Sequence, residues 1–167
     1  GRLLPGGEPE WSRLADEMRF VQLSPELKQK RFSDRLSIEL PPQGSLPQVW
    51  VPSLILQPLV ENAVVHGLAG HDGPVRIAVT AESTLDGAQD GLRIAVTNDV
   101  APGRAMGREG IGLRNVRERL AVQLGRHATL RAGPDGGEAA TVWRSEIALP
   151  ALRELPALTL RRDAAPG

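Results

Sequence analysis

The run Leu56-Gln57-Pro58-Leu59-Val60-Glu61-Asn62-Ala63-Val64-Val65-His66-Gly67 constrains this chain more than any other. It is apolar at helical spacing, yet an acid and an amide sit side by side in its middle. Burying an unpaired amide costs on the order of 2–7 kcal/mol, so such residues persist in a core helix where that helix lines a polar pocket. Residues 52–66 are therefore read as a core helix, with Gly67 as its C-cap and Pro58 either kinking it or starting its main segment. Downstream, Gly107-Arg108-Glu109-Gly110-Ile111-Gly112-Leu113-Arg114-Asn115 is a glycine-rich turn that opens a second helix over residues 111–124. Leu113, Val116, Leu120 and Leu124 share one face of that helix, and Gly125 closes it. An Asn-bearing helix followed by a glycine-rich helix start is what a Mg-nucleotide site needs.

The rest of the chain supplies the frame. Trp11, Leu14, Met18 and Val21 predict a helix over residues 11–23, and Ser24-Pro25-Glu26 reads as the start of another. Residues 35–40 alternate as a half-buried strand. Residues 74–81 and 92–97 are alternating strands, joined by a hairpin with Asp86-Gly87 and Asp90-Gly91, and two more strands fall near 128–132 and 141–149. Such a mixture predicts an α+β fold, one sheet with helices on one face. Residues 151–167 are expected to fray.

Bulk properties exclude several classes. With 167 residues there is room for one ordinary domain. The net charge of +0 argues against nucleic acid and anionic lipid as partners. The absence of cysteine removes disulfide and thiolate chemistry. Apolar runs fall short of the ~20 residues that span a bilayer. The chain begins at Gly1 rather than Met, which leads us to expect a segment of a longer protein.

Mg²⁺ takes oxygen ligands and is typically held by one or two side-chain oxygens plus substrate phosphates. Asn62 offers one such oxygen, and Glu61 is placed to accept from a metal-bound or nucleophilic water; it fits a solvated helix position as well. Gly110, Ile111 and Gly112 offer backbone N–H groups to phosphate at a helix N-terminus, or simply shape the turn. Alternation puts Leu92, Ile94, Val96 and Asn98 on one face, with Asn98 at the pocket mouth and Asp99 pointing the other way. Asn98 suits either an adenine amino group or a turn. His66, one turn after Asn62, favours the helix C-terminus and lies within reach of a phosphate. Asn115 suits phosphate or a local cap.

The segment from Leu56 to Gly67 resembles the N-box of LytS-like sensor histidine kinases, and Gly110-Ile111-Gly112-Leu113-Arg114-Asn115-Val116-Arg117-Glu118-Arg119-Leu120 resembles their second glycine box. Glu17 with Arg31-Phe32-Ser33-Asp34-Arg35-Leu36 resembles the segment linking phosphoacceptor helices to the ATP-binding domain. The resemblance covers residues 11–150. It implies a GHKL-type two-layer α/β sandwich with a mixed sheet and a lid at residues 99–109. It further implies residues 1–34 as linker helices, 35–150 as the ATP-binding domain, and 151–167 as a tail. ATP and Mg²⁺ would be the cofactors, Glu61 and Asn62 the catalytic pair, and Asn62 the metal ligand. The implied nucleotide contacts are Asn62, His66, Asn98, Asp99, Gly110, Ile111, Gly112, Leu113, Asn115 and Thr141. The implied activity is a protein histidine kinase whose γ-phosphoryl acceptor lies elsewhere, because His66, His71 and His127 all lack the family's Pro-His-Phe context. Phosphoacceptor helices in a dimer and a response regulator would be its partners. It would work in the cytoplasm, on a parent anchored in the inner membrane.

Departures from the pattern are Asn98-Asp99-Val100 in place of Asp-x-Gly, Val65 where a basic residue is common, Ser24-Pro25 in the linker, and a late Thr141 after Gly136-Gly137-Glu138. Losing charge assistance at the adenine position is worth about 1 kcal/mol. These departures favour one rival, a regulatory module of the same fold that acts through partners with little or no nucleotide. A serine kinase of the anti-sigma-factor type is a second rival.

Overall fold

Strand alternation decides which side of the sheet meets the helices in this computed structural model, which describes residues 10–23, 34–69, 72–86, 89–101, 111–136 and 140–156. In chain order the elements are β1 (Trp11–Arg13), α1 (Leu14–Gln22), β2 (Leu36–Glu39), β3 (Trp50–Pro52), α2 (Leu56–Leu68), β4 (Val75–Asp86), β5 (Gln89–Asp99), α3 (Ile111–Leu124), β6 (Thr129–Pro134) and β7 (Val142–Pro150). The main sheet has five strands in the order β2-β4-β5-β7-β6. Its β2–β4 pair is parallel and the rest are antiparallel. Val75, Ile77 and Val79 on β4, Leu92, Ile94 and Val96 on β5, and Ile147 and Leu149 on β7 are buried on the helix side. The other face carries Arg76, Arg93 and Glu146 in exposed ion pairs of little energetic weight. The result is the expected α+β two-layer sandwich with a mixed sheet.

Each helix buries one stripe. Leu14, Met18 and Val21 of α1, Leu56, Leu59, Val60, Ala63 and Val64 of α2, and Leu113, Val116, Leu120 and Leu124 of α3 join one core. The segment read as a linker thus contributes three of the most buried side chains to the same core as the sheet. Helix α3 ends as read, with Gly125 at φ 57°.

Several boundaries differ from the sequence reading, each for a long-range reason. Helix α2 begins at Leu56 rather than at residue 52, because Trp50–Pro52 pairs antiparallel with β1. The same pairing makes Trp11–Arg13 a strand instead of a first helical turn. Pro58 falls in the first turn of α2, where its missing N–H has no intrahelical acceptor. Gly67 lies inside the helix rather than capping it. A Cβ there would stand 2.6 Å from Val75 Cγ1 and 3.4 Å from the Asp99 carbonyl, so the glycine permits close approach of helix to sheet. Asp90-Gly91 lies within β5, where Gly91 pairs with Thr84, rather than in the hairpin turn. Past Pro150, where fraying was expected, Ala151 N–H donates to the Asp90 carbonyl (3.1 Å) and Trp50 N–H to the Leu152 carbonyl (2.7 Å). The helix expected at Ser24, the Arg31-Phe32 match and most of the lid lie outside the described residues.

Candidate functional site

Helix α2 is fixed at its start by an acid from another element. Glu17 of α1 is only 6% exposed, and its carboxylate accepts from the backbone N–H groups of Leu54 (3.2 Å), Ile55 (3.1 Å) and Leu56 (3.4 Å). These are donors that a helix N-terminus otherwise leaves without acceptors. Leu54 holds a left-handed φ of 63°, which turns the chain from β3 into α2. Arg119 of α3 donates to the Ser53 carbonyl, tying the third helix into the same corner. Burial pushes the Glu17 carboxyl above the usual carboxylate range, while the backbone donors and the Arg119 charge pull the other way. The sequence carried a signal for this cap: Glu17 lies on the apolar stripe of α1, between Leu14 and Val21.

The other half of α2 carries the candidate chemistry. Glu61 is half-buried and accepts from Gln57 Nε2 at 3.0 Å. Asn62 is also half-buried, and its Nδ2 is buried without a hydrogen-bond partner. One turn on, His66 stacks against Trp143 of β7, with ring centroids 6.2 Å apart and planes 14° from parallel. The close approach at Gly67 brings Asn98 of β5 against the helix; the added Cβ would lie 3.7 Å from Asn98 Cβ. Asn98 is 1% exposed, donates from Nδ2 to the Asp99 carbonyl at 3.1 Å, and leaves Oδ1 buried and unpartnered. That donor bond is one a carboxylate at this position is unable to make. Trp143 sits directly opposite Asn98 in the β5–β7 ladder, and its Nε1 is likewise buried and unpartnered.

Unpartnered buried atoms are rare in folded proteins, and each costs about 1–3 kcal/mol. Among the described residues, Asn62 Nδ2, Asn98 Oδ1 and Trp143 Nε1 gather around the second half of α2, and Gln123 Oε1 is the exception elsewhere. Buried groups left without partners in one region are what a polar ligand would satisfy. Trp143 was read only as a strand residue; its place in the site follows from cross-strand register and from His66, both distant in sequence.

Ile111 opens α3, and Gly112 is exposed, with Pro58 Cβ 4.0 Å from the position of an added Cβ. The glycine-rich helix start therefore lies beside the first turn of the Asn helix. The Leu113 side chain is sealed in the core, leaving only its backbone to face a ligand. Asn115 and Thr141 are exposed, and the Thr141 carbonyl accepts from Val100 N–H at 2.9 Å. Asp99 stays out of the cluster, its Oδ2 accepting from Arg76 N–H at 2.9 Å. Gly110 lies outside the described residues. No group of three or more His, Asp or Glu able to hold a metal occurs among the described residues, so a cation at Asn62 would take most of its oxygens from a ligand.

No family model matches the chain. It is 29% identical over 124 residues to the sensor histidine kinase YesM of Bacillus subtilis, covering 71% of this chain and 21% of that protein. It is 35% identical over 72 residues to the sensor histidine kinase BtsS of Escherichia coli, covering 43% of this chain and 13% of that protein. The chain thus spans about a fifth or less of the length of these relatives. Among solved structures, the nucleotide-free catalytic domain of the histidine kinase ThkA matches 86% of this chain and 99% of its own at a TM-score of 0.54 and 16% identity. Another crystal form of that domain gives 0.51. The fold is that of a histidine kinase catalytic domain.

Proposed function

We propose that this chain is the ATP-binding catalytic domain of a LytS-like sensor histidine kinase, donating the γ-phosphoryl group of Mg-ATP to a histidine elsewhere. The observation that carries this reading is the set of unpartnered polar atoms around α2, beside a glycine-rich helix start. Asn62 supplies the protein oxygen for Mg²⁺. Its donor chemistry fits, since a lone amide oxygen suits an ion that keeps its waters and phosphate ligands. Bound Mg²⁺ would neutralise charge on the phosphates. Glu61, oriented by Gln57, accepts a hydrogen bond from water or the incoming nucleophile. Backbone N–H groups at Gly110, Ile111, Gly112 and Leu113 hold phosphate oxygens, with Asn115 and His66 beside them. Asn98 Oδ1 accepts from the adenine amino group and Thr141 borders the base, while Asp99, its carboxylate turned to Arg76 N–H, contributes through its backbone alone.

His66, His71 and His127 all lack the Pro-His-Phe context of the family's acceptor, so the acceptor histidine is assigned to phosphoacceptor helices outside this segment. We assign residues before 35 to the connection with those helices and residues 35–150 to ATP binding. A dimeric parent anchored in the inner membrane, a cytoplasmic site and a response-regulator partner complete the proposal. The rival, a regulatory module that acts by partner binding with weak or no nucleotide binding, draws on Val65, an apolar side chain 64% exposed on α2. Displacement of a fluorescent ATP analogue separates the two. The kinase reading expects ATP to displace the probe in the presence of Mg²⁺, and Asn62→Ala to abolish the Mg²⁺ dependence while the protein stays folded. An Asn62→Ala variant with unchanged Mg-ATP affinity would remove the metal assignment.

A further inference from the structure

Resting on the nucleotide reading, we propose that Trp143 reads the base: its Nε1–H donates to adenine N1 while Asn98 Oδ1 accepts from the 6-amino group. Residues directly opposite in an antiparallel pair share a face, and Asn98 and Trp143 are such a pair. Both face α2, Asn98 through the Gly67 contact and Trp143 through the His66 stack. The Asn98 amide is oriented by its donor bond to the Asp99 carbonyl, so the atom left over is the acceptor oxygen. The indole is held by His66, so its N–H is presented in a set direction. A buried acceptor and a buried donor are therefore carried by directly opposed residues on one face of the sheet, bonded neither to each other nor to any other group in the described residues.

Adenine matches that pair. Its 6-amino group is a donor, and the adjacent N1 is an acceptor with no hydrogen. Pairing both edges removes two orphaned groups in one binding event, which makes the discrimination strong: a ligand lacking either group leaves a buried partner unsatisfied. Guanine presents the two functions in the opposite order, with an acceptor at position 6 and a donor at N1.

The test deletes single atoms from the ligand and the matching atom from the protein. Wild-type chain is titrated with Mg-ATP, 1-deaza-ATP, 7-deaza-ATP and purine riboside triphosphate, and Trp143→Phe with the first three. The expected wild-type result is about tenfold weaker binding of 1-deaza-ATP and of purine riboside triphosphate, with 7-deaza-ATP bound like ATP. Trp143→Phe keeps the aromatic stack and lacks the N–H. It is expected to bind ATP about tenfold more weakly and to lose discrimination against 1-deaza-ATP. Equal wild-type affinity for ATP and 1-deaza-ATP overturns the Trp143 assignment while leaving the nucleotide reading intact, as does a penalty on 7-deaza-ATP alone. Unchanged or tighter ATP binding by a folded Trp143→Phe does the same. A wild-type chain that binds none of the four overturns the nucleotide reading itself. The wild-type series decides the matter even where the variant fails to fold.

Discussion

At the N-terminal end of α2 the Glu17 carboxylate accepts from three backbone N–H groups, whereas around its second half Asn62, Asn98 and Trp143 each keep a buried polar atom without a partner. Both regions pack against the same helix and bury polar groups in similarly apolar surroundings. The first spends its polar atoms on architecture: it sets where the helix starts and ties α1 to α2, with Arg119 of α3 at the same corner. The second, on the proposed reading, leaves them for a ligand. Hydrogen-bond satisfaction, more than burial, distinguishes a residue that builds the fold from one that serves the site.

Substitutions that exchange these properties give the sharpest contrasts. Glu17→Ala strips the cap and leaves buried N–H groups behind, so urea unfolding is expected to show a loss of about 2–4 kcal/mol. A loss below about 0.5 kcal/mol would mean the cap is dispensable and the contrast fails. Gly67→Ala drives a methyl into Val75 and parts α2 from β5; about 1–3 kcal/mol of destabilisation is expected, together with weaker ATP binding. A fully stable Gly67→Ala would show that the helix–sheet contact is loose. Asn98→Leu runs the other way. Removing the orphaned Oδ1 offsets the loss of the local Nδ2 bond to the Asp99 carbonyl, so an apolar side chain of similar shape is expected to leave stability level or raise it by up to about 1 kcal/mol, while ATP binding falls. Clear destabilisation by calorimetry would place Asn98 among the structural residues.

The smallest effect concerns pH. The Glu17 carboxyl is raised mainly by burial, so between the ordinary carboxylate pKa and the raised one the native state holds more proton than the unfolded state. The Glu17 contribution to stability therefore falls as pH rises through that window and recovers on acidification. Subtracting the pH profile of Glu17→Gln from that of wild type isolates this trend, and a difference of opposite slope would mean the carboxylate is stabilised in its charged form.

Local pattern carried much of the fold. The α3 span was readable from Leu113, Val116, Leu120 and Leu124 with Gly125 beyond, and β5 from its alternation. What escaped depended on contacts between distant residues. The start of α2 shifted because Trp50–Pro52 pairs with Trp11–Arg13, a pairing that no local window contains. Gly67 looked like a cap because glycine serves both caps and close approaches, and only Val75 and Asp99 across the gap decide between them. In the site, Asn62 and Asn98 stood out as amides among apolar residues. Trp143 did not, since an aromatic residue in a strand is ordinary until its ladder partner and His66 are known.

Isothermal titration of the wild-type chain with a non-hydrolysable ATP analogue, with and without Mg²⁺, tests the central claim most directly. The account predicts saturable binding, because the orphaned groups around α2 gain partners from the nucleotide, and tighter binding with Mg²⁺, because the Asn62 oxygen would ligate the ion. Absence of binding at millimolar ligand, or an affinity indifferent to Mg²⁺, would contradict it.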